Sequence, residues 1–129
     1  MGLKTYRELE AWKKAMMLTE EAYRISRSFP EEERFGLTSQ LRRAAVSVPA
    51  NIAEGYGRSH RGDYLHHLSI ARGSLAEVET LLTLSVRLNY ADREEAVSVW
   101  ESAQQTGRLL NGLIASLRNQ QPGGEASSR

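Results

Sequence analysis

Five arginines, Arg34, Arg42, Arg43, Arg58 and Arg61, fall between residues 34 and 62, and Glu54 is the one carboxylate among them. The whole chain carries a formal net charge of only +1. Its basicity is therefore local, and the remainder is slightly acidic. Guanidinium groups are planar forks that suit phosphate oxygens, and a cluster of them draws in polyanions. Arg42, Arg43, Arg58 and Arg61 are the candidate phosphate-contacting residues. The same groups suit the acidic side chains of a protein partner, or a plainly solvated helix face. Tyr56 and Tyr64 flank the segment. Aromatic rings among arginines can stack on unpaired bases, and a place in the core or an interface is the competing assignment.

Other chemistry is thinner. His60, Asp63 and His67 have the three- and four-residue spacings that metal ligands take on one helix turn. They equally suit an exposed helix end on which Asp63 and His67 share a hydrogen bond. Glu77 and Glu79 are two apart and face different directions, and no Glu-x-x-His pair of a di-iron bundle occurs. There is no glycine-rich phosphate loop and no Ser-His-Asp set. The expectation is a protein that is not an enzyme and holds no metal or cofactor. The 129 residues contain no cysteine, which excludes disulfides and thiolate metal sites. No apolar run approaches the ~20 residues of a membrane span, and the N-terminus has no apolar leader. A cytoplasmic protein without a membrane partner is expected.

The elements that must position these residues read as four helices. The first runs from about Tyr6 to Ser28, opened by a Thr5/Glu8 capping-box pattern and stopped by Phe29-Pro30. Its stripe reads Leu9, Trp12, Met16, Thr19, Tyr23 and Ser26. The second begins near Leu37 or Thr38, with a stripe of Leu37, Leu41, Ala44/Ala45, Val48, Ile52 and Tyr56. Gly55 and Gly57 end it, by the left-handed cap that glycine adopts readily. The third spans about Arg61 to Asn89, with Ser59 a possible cap and Tyr64, Leu68, Ala71, Leu75, Val78, Leu82 and Ser85 inward. The fourth starts near Asp92 and carries Ala96, Val99, Ala103, Thr106, Leu110, Leu113 and Leu117. Residues 1–120 form one domain, and the small, polar tail 121–129 is expected to be disordered. Four helices with short connections pack most simply as an all-α, antiparallel up-down four-helix bundle.

Pro49 stands inside the second helix. It has no N–H, so the carbonyl of Ala45 loses its helical partner and must turn to water or a side chain, with a kink expected there. Beyond it, Glu54 and Arg58 have the spacing of a weak helical ion pair. Two helices also carry a second apolar stripe. On the third it is Ile70, Leu81, Leu84 and Leu88; on the second it is Val46, Ala50 and Ala53, with Pro49 beside them. Either neighbouring helices of the same bundle cover these flanks, or copies of the chain cover one another.

The blocks "LTSQLRRAAVSVPANIAEGYGR" and "DYLHHLSIARGSLAEVETLL" resemble the bacterial four-helix-bundle family of 23S rRNA intervening-sequence proteins. The accessory variability protein of diversity-generating retroelements is a related member of the same superfamily. The resemblance spans about Tyr6 to Leu117. It implies a bundle that assembles as a homopentamer, and, from the retroelement members, an RNA-binding accessory of a reverse transcriptase. The matching positions are Arg42, Arg43, Pro49, Asn51, Glu54, Gly55 and Arg58. Two functions stay open: an oligomeric adaptor that binds RNA or another nucleic acid through its arginines, and a scaffold that holds a protein encoded nearby, such as a reverse transcriptase.

Overall fold

In a computed structural model, which describes residues 5–120, four helices account for most of the chain: α1 (Glu10–Ser26), α2 (Leu37–Tyr56), α3 (Arg61–Arg87) and α4 (Arg93–Arg118). Short 3-10 turns at Tyr6–Glu8 and Glu31–Glu33 precede α1 and α2. Among the described residues there is no strand. The tail expected at 121–129 lies outside them. Helices α1–α2, α2–α3, α3–α4 and α4–α1 are neighbours, which makes a square up-down bundle with α1 diagonal to α3. At ~1.5 Å per residue the helices span roughly 25–40 Å.

The interior is one apolar cluster. Leu41, Ala45, Val48 and Ile52 of α2 meet Leu68, Ala71, Val78 and Leu82 of α3 and Ala103 and Leu110 of α4. These are the stripes that periodicity assigns, since large aliphatic residues recur there every three or four positions. Helix α1 differs. Its buried residues are Ala11, Ala15, Leu18, Ala22, Ile25 and Ser26, a face turned by about 100° from the expected one. Met16 and Tyr23 are exposed. Alanines on the inner face let the α1 backbone come close to its neighbours, and the bulky side chains are displaced to the flank.

The helix ends also depart from the expectations. Thr5 caps the first 3-10 turn, its hydroxyl accepting the Arg7 N–H at 3.3 Å, and not α1 itself. Ser59 caps nothing, because the residue before α3 is His60. Gly57 follows α2 in right-handed geometry at φ −80°. The left-handed cap belongs instead to Asn89, at φ 62°. Beyond α3, the Tyr90 N–H reaches the Ser85 carbonyl at 2.8 Å and the Asn89 N–H that of Val86 at 3.0 Å, the paired bonds of a Schellman cap.

Helix α2 continues through Pro49. The carbonyl that the proline leaves unpaired, on Ala45, accepts the Thr19 hydroxyl of α1 at 3.0 Å. The start of α2 is held from outside the helix. Glu33 accepts the Leu37 N–H on Oε1 and the Tyr90 hydroxyl on Oε2, both at 2.9 Å. These bonds hold its carboxyl below the usual carboxylate range, the backbone N–H contributing most. The same contact pushes the Tyr90 hydroxyl up. Ser28 adds a bond to the Tyr90 carbonyl at 3.2 Å. The α1–α2 and α3–α4 connections are thereby joined at one pole of the bundle.

Candidate nucleic-acid interface

The candidate arginines do not form one ridge. Arg42 and Arg43 lie in the first turns of α2 and Arg58 beyond its last. Sixteen residues of rise separate Arg42 from Arg58 by about 24 Å, so the four side chains fall at opposite poles.

At the far pole Arg58 is exposed, outside the helix that ends at Tyr56. Ending there removes the geometry of the expected Glu54–Arg58 pair, and Glu54 instead approaches His67 at 3.7 Å. Arg61 donates to the Gln120 carbonyl at 3.0 Å, which ties the start of α3 to the end of α4.

At the same pole, packing accounts for Asn51 and Gly55, two of the positions that carry the resemblance. Asn51 donates its amide to the Ser47 carbonyl at 2.9 Å and hydroxyl at 3.0 Å, and its Oδ1 faces His67 Nδ1 at 3.0 Å. With the amide nitrogen occupied at Ser47, Asn51 turns its acceptor oxygen to the His67 ring. Ser74 of α3 donates to the Ser47 hydroxyl at 2.8 Å. His67 therefore belongs to a polar seam between α2 and α3, and its partner is Asn51, not Asp63. Gly55 is buried in this seam. A Cβ on it would stand 2.9 Å from His67 Cβ and from Tyr64 Cδ1. Tyr56 and Tyr64 meet edge to face at 6.1 Å. Burial, and next the neighbouring Tyr56, pushes the Tyr64 hydroxyl up to about 12. Both rings are half-buried and packed on one another, as the core placement has them. Among the described residues no group of three or more His, Cys, Asp or Glu side chains is arranged to hold a metal ion.

The near pole holds the guanidinium cluster. Arg42 is half-buried; its Nε donates to the Ser26 hydroxyl at 2.8 Å and its Cζ lies 4.7 Å from the Tyr23 ring centroid. Arg34 pairs with Glu31 at 2.7 Å, and its Cζ stands 4.7 Å from the centroid of Phe35. Arg43 is exposed. Arg34, Arg42 and Arg43 line one groove of about 640 Å³ between α1 and α2, with Tyr23 and Phe35, and no carboxylate is in its wall. Periodicity assigns Tyr23 to the core and gives Phe35 no role. The usable signal for Phe35 is a large ring between Arg34 and Gly36 that belongs to no helical stripe.

The expected second stripes are partly outward. Val46, Ile70, Leu84 and Leu88 lie between 40% and 44% exposed, and Ala50 is exposed as well. Two residues assigned to that surface are corrected. Leu81 is 7% exposed, drawn in by the core it borders, and Pro49 is buried on the inner side of α2 beside Val48. Ala53 is half-buried. No helix among the described residues is long and apolar enough to cross a membrane.

Comparison with known proteins agrees with this architecture. A crystal structure from Bacteroides thetaiotaomicron, described as a protein of unknown function from the S23 ribosomal protein family, superposes with a TM-score of 0.75 at 25% identity. It covers 81% of this chain and 95% of its own. Among curated proteins none is significantly similar. The family model of the 23S rRNA-intervening sequence proteins matches residues 7–112, from the turn before α1 to the last turns of α4, and the chain belongs to that family.

Proposed function

We propose that the protein is a non-catalytic adaptor for nucleic acid that works as an assembly of its own copies. The observation that carries the reading is the groove in which Arg34, Arg42 and Arg43 converge without a carboxylate in the wall. Arg42 and Arg43 attract phosphate, with Arg34 joining them once a phosphate displaces its exposed Glu31 partner, and the family's link to intervening sequences of 23S rRNA makes RNA the first polyanion to test. Arg42 is anchored to α1 and presents a fixed charge; Arg43 is free to swing onto a phosphate. Arg58 and the Arg61 region add a second contact at the other pole. Val46, Ala50, Ile70, Leu84 and Leu88 supply apolar surface through which copies cover one another, in the pentamer implied by the resemblance. Repeating the groove around an assembly converts several weak contacts into avidity.

The experiment is a gel shift of structured RNA across a salt series. Binding should be clear at ~50 mM salt and weaken by orders of magnitude by ~200 mM, as counterion release requires. Arg43→Gln with Arg58→Gln should weaken binding and flatten the salt slope, while Arg42 is left in place because it also holds α1 to α2. Unaltered RNA binding in that double variant rejects the assignment. A partner captured from the native host that survives nuclease treatment, a reverse transcriptase included, would favour the scaffold reading.

A further inference from the structure

We propose that the groove between α1 and α2 takes a single-stranded polynucleotide, with an unpaired base stacked on Phe35 and the flanking phosphates on Arg43 and Arg42. The inference rests on the adaptor reading and narrows it from nucleic acid in general to an unpaired strand.

The starting point is Phe35. The other exposed large apolar side chains lie between 38% and 48%, as flanks of packed helices do, but Phe35 is 84% exposed. A ring held that far into water contributes almost nothing to the core. One of its neighbours is a cation, the Arg34 guanidinium 4.7 Å from the centroid. A second such pair, Arg42 on Tyr23, lies in the same groove at the same 4.7 Å. Alternating planar cations and rings are the chemistry of unpaired bases. The rings and guanidinium planes offer stacking faces tolerant of sequence, and the charges track the backbone. A duplex offers phosphates to the arginines but no free base face to Phe35.

The groove is also rigid where it needs to be. Arg42 is fixed by Ser26. Phe35 lies two residues past Glu33, which is bonded to Leu37 and Tyr90. The Arg34–Glu31 pair is exposed on both sides, and exposed pairs of this kind are weak enough for a phosphate to displace. At about 640 Å³ the groove has room for a nucleotide.

The test is fluorescence anisotropy on the full chain with a uridine RNA strand of about 12 nucleotides, the matching deoxythymidine strand and an RNA duplex of the same length. The single strands should bind about tenfold more tightly than the duplex, and Phe35→Ala should remove about that factor for the single strands only. Phe35→Trp should restore it. Salt dependence should persist in Phe35→Ala and fall by about one phosphate's worth in Arg43→Gln. A strand carrying 5-iodouracil should photocrosslink to Phe35 in peptide mapping. The two strands separate the sources: preference for the uridine strand assigns the groove to RNA, and equal binding assigns it to any unpaired strand. Equal affinity for strand and duplex, with Phe35→Ala unchanged and Arg43→Gln weakened, overturns the stacking proposal and leaves the adaptor reading standing. No binding to any probe overturns both. A change in particle mass on Phe35→Ala, with RNA affinity intact, would place the ring in a chain–chain contact and also overturn the proposal.

Discussion

The hydroxyl of Thr19 on α1 lies 3.0 Å from the carbonyl oxygen of Ala45 on α2, four residues before Pro49. It also lies 2.8 Å from the Ala15 carbonyl in its own helix, so its single proton is shared between two acceptors. A proline that would leave a polar atom orphaned near the core is matched by one hydroxyl from the neighbouring helix.

Thr19→Val keeps the shape and removes the donor. It should cost about 1–3 kcal/mol, because the Ala45 carbonyl is then left without a partner. Pro49→Ala gives that carbonyl a helical N–H again. In a denaturant double-mutant cycle, Thr19→Val should cost less in the Pro49→Ala background by about 0.5–2 kcal/mol. Additive effects would disprove the compensation.

Two helical glycines should respond with opposite signs to the same change. Gly55→Ala places a methyl group 2.9 Å from His67 Cβ and Tyr64 Cδ1, and such overpacking costs about 1–3 kcal/mol. Gly73 has nothing within 4 Å of an added Cβ. There Ala should stabilise by about 0.5–1 kcal/mol through helix propensity and a less flexible unfolded chain. Urea titrations of the two variants make the comparison.

Two carboxylates give opposite pH signatures. Glu33 is held below its ordinary 4.5 by the Leu37 N–H and the Tyr90 hydroxyl. Its stabilisation is present above pH 4.5 and lost as the pH falls through the lowered value. Glu33→Gln should therefore melt below the wild type at pH 7, and the gap should close in acid. Glu79 is raised from 4.5 by burial while accepting from Gln104 at 2.8 Å. Its charged form is disfavoured in the fold, so Glu79→Gln should melt above the wild type at pH 7, and that gap should also close as the pH falls towards 4.5. Thermal melts at pH 7 and in acid read both signs.

The proposed self-association predicts that Leu84→Glu together with Ile70→Glu reduces the particle mass to that of one chain. The circular dichroism spectrum should stay helical, since neither side chain is in the core. Light scattering after size exclusion is the measurement. A wild type already at the mass of one chain would refute the assembly.

The helices and their order were legible because Leu, Val and Ile recur on α2, α3 and α4 at the period of the helix. The α1 face was not, because alanine carries little weight in a hydrophobic pattern while Trp12, Met16 and Tyr23 carry much. Packing reverses that weight when a close backbone approach is needed. The start of α2 near Leu37 was legible, but what holds it was not: Glu33 sits outside the helix and bonds equally to Tyr90, 57 positions along the chain. The arginines could be named, but not sorted. Charge density along the sequence cannot separate residues that the length of α2 holds apart, and only the structure sets Arg42 against Tyr23 and leaves Arg58 outside. Phe35 lies in no stripe and was invisible to a reading built on stripes.

Tyr90 has one further consequence. Its hydroxyl meets Glu33 and its carbonyl meets Ser28, so two connections far apart in sequence share one clasp. Transient opening near residue 90 must release the segment that carries Arg34 and Phe35 as well. Amide exchange at residues 28–36 and 88–92 is therefore expected to speed up in concert when Tyr90→Phe removes the hydroxyl. The presentation of the groove is then set by a residue that does not touch it.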